Sequence, residues 1–309
     1  APPSGELGKI TFDPDGSVTL TTGTLDYGQG HATPFAQVLT SQLGVPFDKI
    51  KLEQGDSDLV RFGNGTGGSR SITATGQAIV EASALVVDKG KKAAAHFLEA
   101  SEADIEFSGG RFTIAGTDRS IGIMEVAQRV RDGKMPEGTP NSLDVDHATK
   151  ETPSTFPNGC HVAEVEIDPD TGVIKIVRYA AVNDFGTVVN PMIVAGQLHG
   201  GVAQGIGQAL MEEVNYDTSG QPITGSFMDY AMPRAEDIPV MEVGDHPSPA
   251  KSNPLGTKGC GEAGCAGSLV CIVNAVVDAL GEYGIKHIDM PLTPEKVWRA
   301  IQDAKAKAA

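Results

Sequence analysis

One turn signal, used twice, constrains the fold more than any other feature of the chain. In KITFDPDGSVTLTTGTL two runs of alternating β-formers flank Asp13-Pro14-Asp15-Gly16. In AEVEIDPDTGVIKIVRYAAV the same arrangement flanks Asp168-Pro169-Asp170-Thr171-Gly172. Proline presets φ, the Asp side chains close onto their own backbone, and glycine takes the left-handed position. Each segment therefore reads as a β-hairpin. The segments downstream of the two hairpins are alike as well: YGQGHATPFAQVLTSQLG after the first and AGQLHGGVAQGIGQALMEE after the second. Both carry Gly-Gln-x-His and pass into apolar residues at helical spacing. These are Phe35, Val38, Leu39 and Leu43 in one, and Val202, Ile206, Ala209 and Leu210 in the other. A hairpin, a Gly-Gln loop and a helix thus read as a divergent internal repeat, the alternative being a coincidence of common turn words. The pattern predicts an α+β chain of two lobes, about 1–150 and 151–309, with mixed sheets and packed helices.

Two more glycine-rich loops feed helices. GNGTGGSRSITATGQ leads into a long helix expected from about Ala78 to Glu99, and KGCGEAGCAGS leads into LVCIVNAVVDALG. In the latter, Leu269, Ile272, Val273, Val276, Val277 and Leu280 form one apolar face. Helices are expected after residues 31, 76, 120, 199, 267 and 293, the last with Thr293 as N-cap, Pro294 at N1 and a fraying Lys/Ala tail. Residues 133–160, rich in Pro, Gly, Thr and Asn, read as a linker or long loop.

Charge and cysteine usage narrow the partners. With 24 basic against 40 acidic residues the formal net charge is −16, which argues against nucleic acid or an anionic membrane surface. No apolar run approaches the roughly 20 residues that span a bilayer, and the opening APPSGELG has no signal core, so a cytoplasmic protein is expected. Three of the four cysteines, Cys260, Cys265 and Cys271, cluster at spacings that miss the usual zinc and iron–sulfur patterns. They read as small buried residues, and no protein metal ligand is expected.

Each of the four loop-to-helix junctions offers backbone N–H groups and a helix N-terminus beside a glycine loop that lets a ligand come close. Four together point to a large polyanionic ligand held mostly by backbone. Gln29, Thr33, Thr66, Ser69, Ser71 and Gln197 supply neutral amides and hydroxyls; Arg70 and Lys258 supply charge. Neither GxxxxGK[ST] nor a GxGxxG after a strand is present.

The strings TTGTLDYGQGHATPFAQVL, GTGGSRS, NPMIVAGQLHGGVAQGIGQALMEE and KGCGEAG, in that order, resemble the C-terminal part of molybdenum hydroxylase large subunits. That family includes xanthine dehydrogenases, aldehyde oxidoreductases, nicotinate dehydrogenases and aerobic carbon monoxide dehydrogenases, the last branch having the nearest wording. The resemblance implies a molybdopterin, in its cytosine dinucleotide form, with molybdenum held by the pterin. Gly28, Gln29, Gly30 and Thr33 would contact pterin and phosphate. Thr66, Gly68, Ser69, Arg70 and Ser71 would hold the pyrophosphate or nucleotide. Gln197 would lie near the metal's oxo ligand or the pterin, and Lys258, Gly259 and Gly261 would bind the cofactor from the loop that carries Glu262. This lone acid among small residues matches the family's catalytic base.

The implied reaction is hydroxylation of a small molecule, an aldehyde or N-heterocycle, with water as oxygen source, or oxidation of carbon monoxide. Electrons would leave through 2Fe-2S and FAD centres on partner subunits. Family members carry much further sequence upstream, so an N-terminal half or companion molybdenum subunit is expected to supply the other wall and the substrate loop. A non-catalytic cofactor-binding scaffold is the alternative function. Each residue also has a plainer role: Glu262 a helix N-cap, Gln29 and Gln197 loop braces, Arg70 an ion-pair partner, Lys258 a loop-positioning cation. His31 and His199 are expected to be packed or hydrogen-bonded, and Asp26, Tyr27, Asp184 and Asn190 to be loop scaffolding.

Overall fold

In the computed structural model, which describes residues 5–133 and 135–308, the first hairpin forms as its alternation requires. β1 (Leu7–Phe12) pairs antiparallel with β2 (Val18–Thr22), and Leu7, Ile10, Val18 and Leu20 are buried. The turn is tied by Asp15, which accepts from the N–H of Ser17 (2.9 Å), and by Asp13, which accepts from Thr19 Oγ1 (2.7 Å). α1 (Ala32–Leu43) comes next and stops at Gly44, whose left-handed backbone sends its N–H to the Thr40 carbonyl (2.8 Å). β3 (Ile50–Glu53) runs parallel to β2. α2 (Ser71–Leu98) lays Ala78, Ile79, Ala82, Val86 and Ala93 into the core. β4 (Ile105–Ser108), β5 (Arg111–Ile114) and β6 (Ser120–Gly122) make an antiparallel sheet, followed by α3 (Ile123–Asp132). β7 (Val145–Ala148) completes the first sheet, whose order is β3-β2-β1-β7.

These elements form one compact unit, Ala1–Phe156, which also takes in two later segments, Gly186–Asn190 and Pro249–Gly259. The later segments join each other through a bridge between Gly186 and Thr257 and a bond from Thr187 N–H to the Gly256 carbonyl (2.9 Å). Asn190 reaches Gln37 of α1 (3.0 Å).

The second unit is Pro157–Phe185, Pro191–Ser248 and Cys260–Ala309. β8 (Asn158–Ile167) and β9 (Ile174–Asp184) form the second hairpin. α4 (Pro191–Leu210) succeeds it, and β10 (Met241–Asp245) pairs parallel with β9. α5 (Ala263–Ala279) and α6 (Pro294–Ala308) complete the unit. Val202, Ile206, Ala209, Ile272, Val276, Val297 and Ile301 share its core with Tyr179. The architecture is α+β with mixed sheets.

The structure corrects four expectations. α2 begins at Ser71, several residues before Ala78, because no proline interrupts Ser71–Gln77 and Leu255 fills the space beside Gly76 (2.5 Å from where its Cβ would stand). α4 begins at Pro191, so Gly196-Gln197-Leu198-His199 is helical and not a loop. Its glycines read as loop punctuation, yet two are packing residues: a Cβ on Gly205 would lie 1.8 Å from Ser268 Oγ, and one on Gly201 3.0 Å from the Gly264 Cα. Small residues there let α4 and α5 approach backbone to backbone. Residues 133–160 are not simply a linker, since β7 lies within them and pairs with β1. Lys134 and residues 1–4, part of the segment read for a signal core, lie outside the described residues. α6 is helical to Ala308, and Ala309, the end of the Lys/Ala tail, lies outside the described residues. Finally, an apolar stretch of spanning length does exist: Ala263–Tyr283 is 21 residues, and an 18-residue window within it has a mean hydropathy of 1.8. Length and composition alone mark it; its Ile272, Val276 and Leu280 are buried in the second unit's core.

Candidate functional site

In the first unit the GQG loop is built on Asp26. Its carboxylate accepts from the N–H groups of Gly28 (2.7 Å), Gly30 (3.3 Å) and His31 (2.7 Å). Partial burial opposes the charged form, but these three bonds outweigh it and hold the Asp26 pKa below its ordinary value. Gln29 turns its amide oxygen back to the N–H of Tyr27. His31 is buried and stacks on Phe35, with ring centroids 4.9 Å apart, and burial lowers its pKa. A neutral, packed imidazole fits the expectation for this residue. His199 does not: it is exposed on α4.

The second loop, residues 65–71, closes onto the first. Thr66 Oγ1 accepts from the N–H of Leu25 (3.2 Å) and pairs with Ser71 Oγ (3.0 Å). A Cβ on Gly65 would stand 3.3 Å from the Tyr27 hydroxyl. Gly68 and Ser69 both have positive φ, +63° and +54°, and Arg70 then enters α2. For a serine this left-handed conformation carries strain, which the surrounding packing must hold in place. Gly259 lies directly against it: a Cβ there would fall 1.6 Å from the Ser69 carbonyl oxygen. Backbone faces backbone, so neither side can yield cheaply. Gly259→Ala is expected to cost about 3 kcal/mol of stability, at the upper end of overpacking effects, read as a lowered urea midpoint; an unchanged midpoint would show that the contact is loose. Lys258, half-buried, adjoins the bridge between Gly186 and Thr257.

Arg70 differs from the expected outward phosphate partner. Its guanidinium donates to the Gly5 carbonyl (3.2 Å), the Gly65 carbonyl (3.4 Å) and the Glu6 carboxylate (3.3 Å). Glu6 is wholly buried, and its other oxygen accepts from Leu7 N–H (2.8 Å) and Gly23 N–H (2.9 Å). Burial raises the Glu6 pKa, while those N–H groups and Arg70 pull it back. Arg70 thus braces the floor beneath the loops. Nothing in the sequence near either residue announces this pair, which joins positions 64 apart.

In the second unit Glu262 is exposed and occupies the N-cap position of α5 without a side-chain capping bond. Its carbonyl accepts from Ala266 N–H (3.0 Å). Gly261 forms the preceding turn. Gln197, half-buried, lies one residue before Leu198, whose carbonyl is 2.5 Å from where a Gly264 Cβ would stand. The turn bearing Gln197 therefore abuts the first turn of α5. Cys260, Cys265 and Cys271, expected to be buried, are only half-buried, and that partial burial raises their thiol pKa values, to about 11 for Cys260.

Known proteins share this arrangement. The molybdopterin cofactor-binding domain family matches residues 1–239. The chain is 35% identical over 295 residues to the carbon monoxide dehydrogenase large chain of Hydrogenophaga pseudoflava, covering 96% of this chain and 37% of that one. It is 38% identical over 296 residues to the nicotine 6-hydroxylase large subunit of Paenarthrobacter nicotinovorans, covering 95% and 36%. The quinoline 2-oxidoreductase structure from Pseudomonas putida 86 superposes with a TM-score of 0.86 at 36% identity, over 97% of this chain and 38% of that one. The chain thus spans little more than a third of the length of these relatives. The loops that meet on the N-termini of α1 and α2 lie inside the matched region, and the chain belongs to the molybdopterin cofactor-binding domain family.

Proposed function

We propose that the chain is the cofactor-binding part of a molybdenum hydroxylase, acting on an aldehyde, an N-heterocycle or a related small substrate, or on carbon monoxide. The observation that carries this reading is the convergence of three glycine loops in the first unit. Residues 25–31, 65–71 and 258–259 join through Leu25 to Thr66, Thr66 to Ser71, and Ser69 to Gly259. The residues fit a phosphate-bearing pterin. Among the described residues, nothing beyond the adjoining residues lies within 4 Å of where a Cβ would stand on Gly28 or Gly67, so a ligand can approach the backbone there. Helix N-termini supply N–H donors beside those openings. The cytosine dinucleotide form is the variant proposed.

When bound, the cofactor supplies a molybdenum centre that takes two electrons from the substrate while water provides the oxygen. This chain's residues do the rest. Gln29 and the N–H groups of residues 28–30 and 66–71 hold pterin and phosphate oxygens. Gln197 orients polar groups at the reacting end. The Glu262 carboxylate accepts the proton that water gives up as its oxygen attacks, a role that needs reach before it needs an unusual pKa. The part of the relatives not matched here supplies the remaining wall and the substrate loop, and iron–sulfur and FAD subunits accept the electrons. The four free cysteines suit a reducing, cytoplasmic compartment.

The test is cofactor retention. The assembled protein is expected to hold molybdenum and pterin in equal amounts, and Gln29→Ala to lower both together. The 309-residue chain alone is expected to hold neither, because ordering several loops around half a ligand costs more than it returns. An assembled protein that purifies without pterin would refute the reading.

A further inference from the structure

Asn183 is 2% exposed, and its Nδ2 has no hydrogen-bond partner among the described residues. A buried donor left unpaired costs stability, so an asparagine here needs a reason beyond folding. The reason lies at the other end of its amide. Asn183 Oδ1 stands 3.4 Å from His161 Nε2, and His161 Nδ1 stands 2.6 Å from the Tyr179 hydroxyl. An amide oxygen only accepts, so Nε2 donates to it and Nδ1 is left to accept from Tyr179. Tyr179 is buried and in turn takes a hydrogen bond from Ser268, which is wholly buried. Burial is the main influence raising the Tyr179 pKa, and that bond pulls against it. The chain of bonds starts on β9, passes through His161 of β8 and Tyr179 of β9, and ends in the second turn of α5.

The contact between α4 and α5 does little to fix the rotation of α5. Packed helices ordinarily key side-chain ridges into grooves. This crossing is made of small residues instead. A Cβ on Gly264 would lie 2.5 Å from the Leu198 carbonyl oxygen, and one on Gly205 1.8 Å from Ser268 Oγ. Such a crossing is close but smooth. Toward the sheet, the His161 ring lies against Gly267, where a Cβ would fall 2.4 Å from the ring Cε1. The two strands that carry the chain pair over Asn158–Ile167. The imidazole and the polar chain thus tie α5 to the sheet at residues 267 and 268. Less than two turns away stands Glu262, the N-cap residue of α5. A side-chain tip is about 5–6 Å from a helix axis, so a rotation of about 10° moves it by about 1 Å. A displacement of that size can cost a reaction about a hundredfold.

We propose that His161, Tyr179 and Ser268 form a hydrogen-bonded lock on the rotation of α5, which makes them positioning residues for the Glu262 carboxylate. The link to the reaction rests on the function proposed above; the lock itself is a property of the second unit's core alone.

Tyr179→Phe removes the hydroxyl and keeps the ring. Hydrogen exchange in the assembled protein, resolved to single amides, reads the lock. Ala266 N–H donates to the Glu262 carbonyl (3.0 Å) and reports the first turn, while Ile272 N–H reports the middle of the helix. Exchange at Ala266 is expected to quicken about tenfold, as for one lost bond, with Ile272 unchanged. Turnover per bound molybdenum should fall about tenfold with KM kept, as for a base displaced by a fraction of an ångström. In a Glu262→Gln background the same substitution should change turnover by under about twofold, because the group it acts through is gone. Ser268→Ala removes the α5 end of the chain; it should act in the same direction, and it decides the matter if Tyr179→Phe does not fold. Unchanged exchange at Ala266, equal quickening at Ile272, or the same loss of turnover in both backgrounds overturns the inference. Near wild-type turnover in Glu262→Gln alone refutes the role of Glu262 instead, and exchange at Ala266 still decides the lock.

Discussion

Arg70→Ala is expected to lower the unfolding free energy by about 3–5 kcal/mol, the usual cost of leaving one member of a buried ion pair alone. The Glu6 side chain is wholly buried and that of Arg70 is 12% exposed, so solvent cannot take over the lost partner. Urea unfolding at neutral pH reads the effect, and a loss under about 1 kcal/mol, the range of exposed pairs, would show that the pair is solvated. The deficit has a pH signature. Burial already raises the Glu6 pKa above its ordinary value, and removing Arg70 deletes influences that lower it. Between the ordinary and the raised value the folded state binds more protons than the unfolded one, so stability falls as pH rises through that window. The Arg70→Ala deficit should therefore shrink on acidification through the window, where Glu6 becomes neutral in both states. Glu6→Gln in the Arg70→Ala background should recover much of the loss, since the amide removes the unpaired charge and keeps an acceptor for the Leu7 and Gly23 N–H groups.

Glu262→Gln is expected to lower turnover per bound molybdenum by about 10²–10⁴, the typical worth of a positioned base, in the assembled enzyme. Cofactor content and stability should be unchanged. Glutamine keeps the shape but takes no proton at neutral pH. The plainer role of Glu262 as a helix cap predicts the reverse, lost stability with turnover retained. The absent side-chain capping bond at α5 removes the main support for that role. Near wild-type turnover per metal would end the catalytic assignment.

The hairpins were legible because their information is local: Asp, Pro and Gly at fixed offsets determine the turn, and alternation determines which side is buried. The apolar faces of α1 and α4 were legible for the same reason, and Phe35, Val38, Leu39, Leu43, Val202, Ile206, Ala209 and Leu210 are all buried. Glycine was the source of error. Within one sequence it serves turns, at Gly16 and Gly172, and helix crossings, at Gly201 and Gly205. Only the partner helix tells the two apart, and that partner lies some 60 residues away. β7 was hidden likewise: Pro and Gly flank it, and its reason for being a strand is the free edge of β1. Among site residues, the loops were visible from their glycines. Glu6 was not, since an acid in Gly-Glu-Leu carries no local mark of burial beside Arg70.

The return of residues 186–190 and 249–259 to the first unit bears on how the protein is made. Chains emerge N-terminus first, and domains generally fold as units while synthesis proceeds. Here the first unit is incomplete until Gly259 has cleared the ribosome, by which time most of the second unit's chain is already outside. The strained Ser69 turn stays without its Gly259 buttress throughout that interval. The two units must therefore mature together, and a nascent chain halted near residue 160 should remain sensitive to protease at the 63–70 loop, whereas one halted well beyond residue 259 should not.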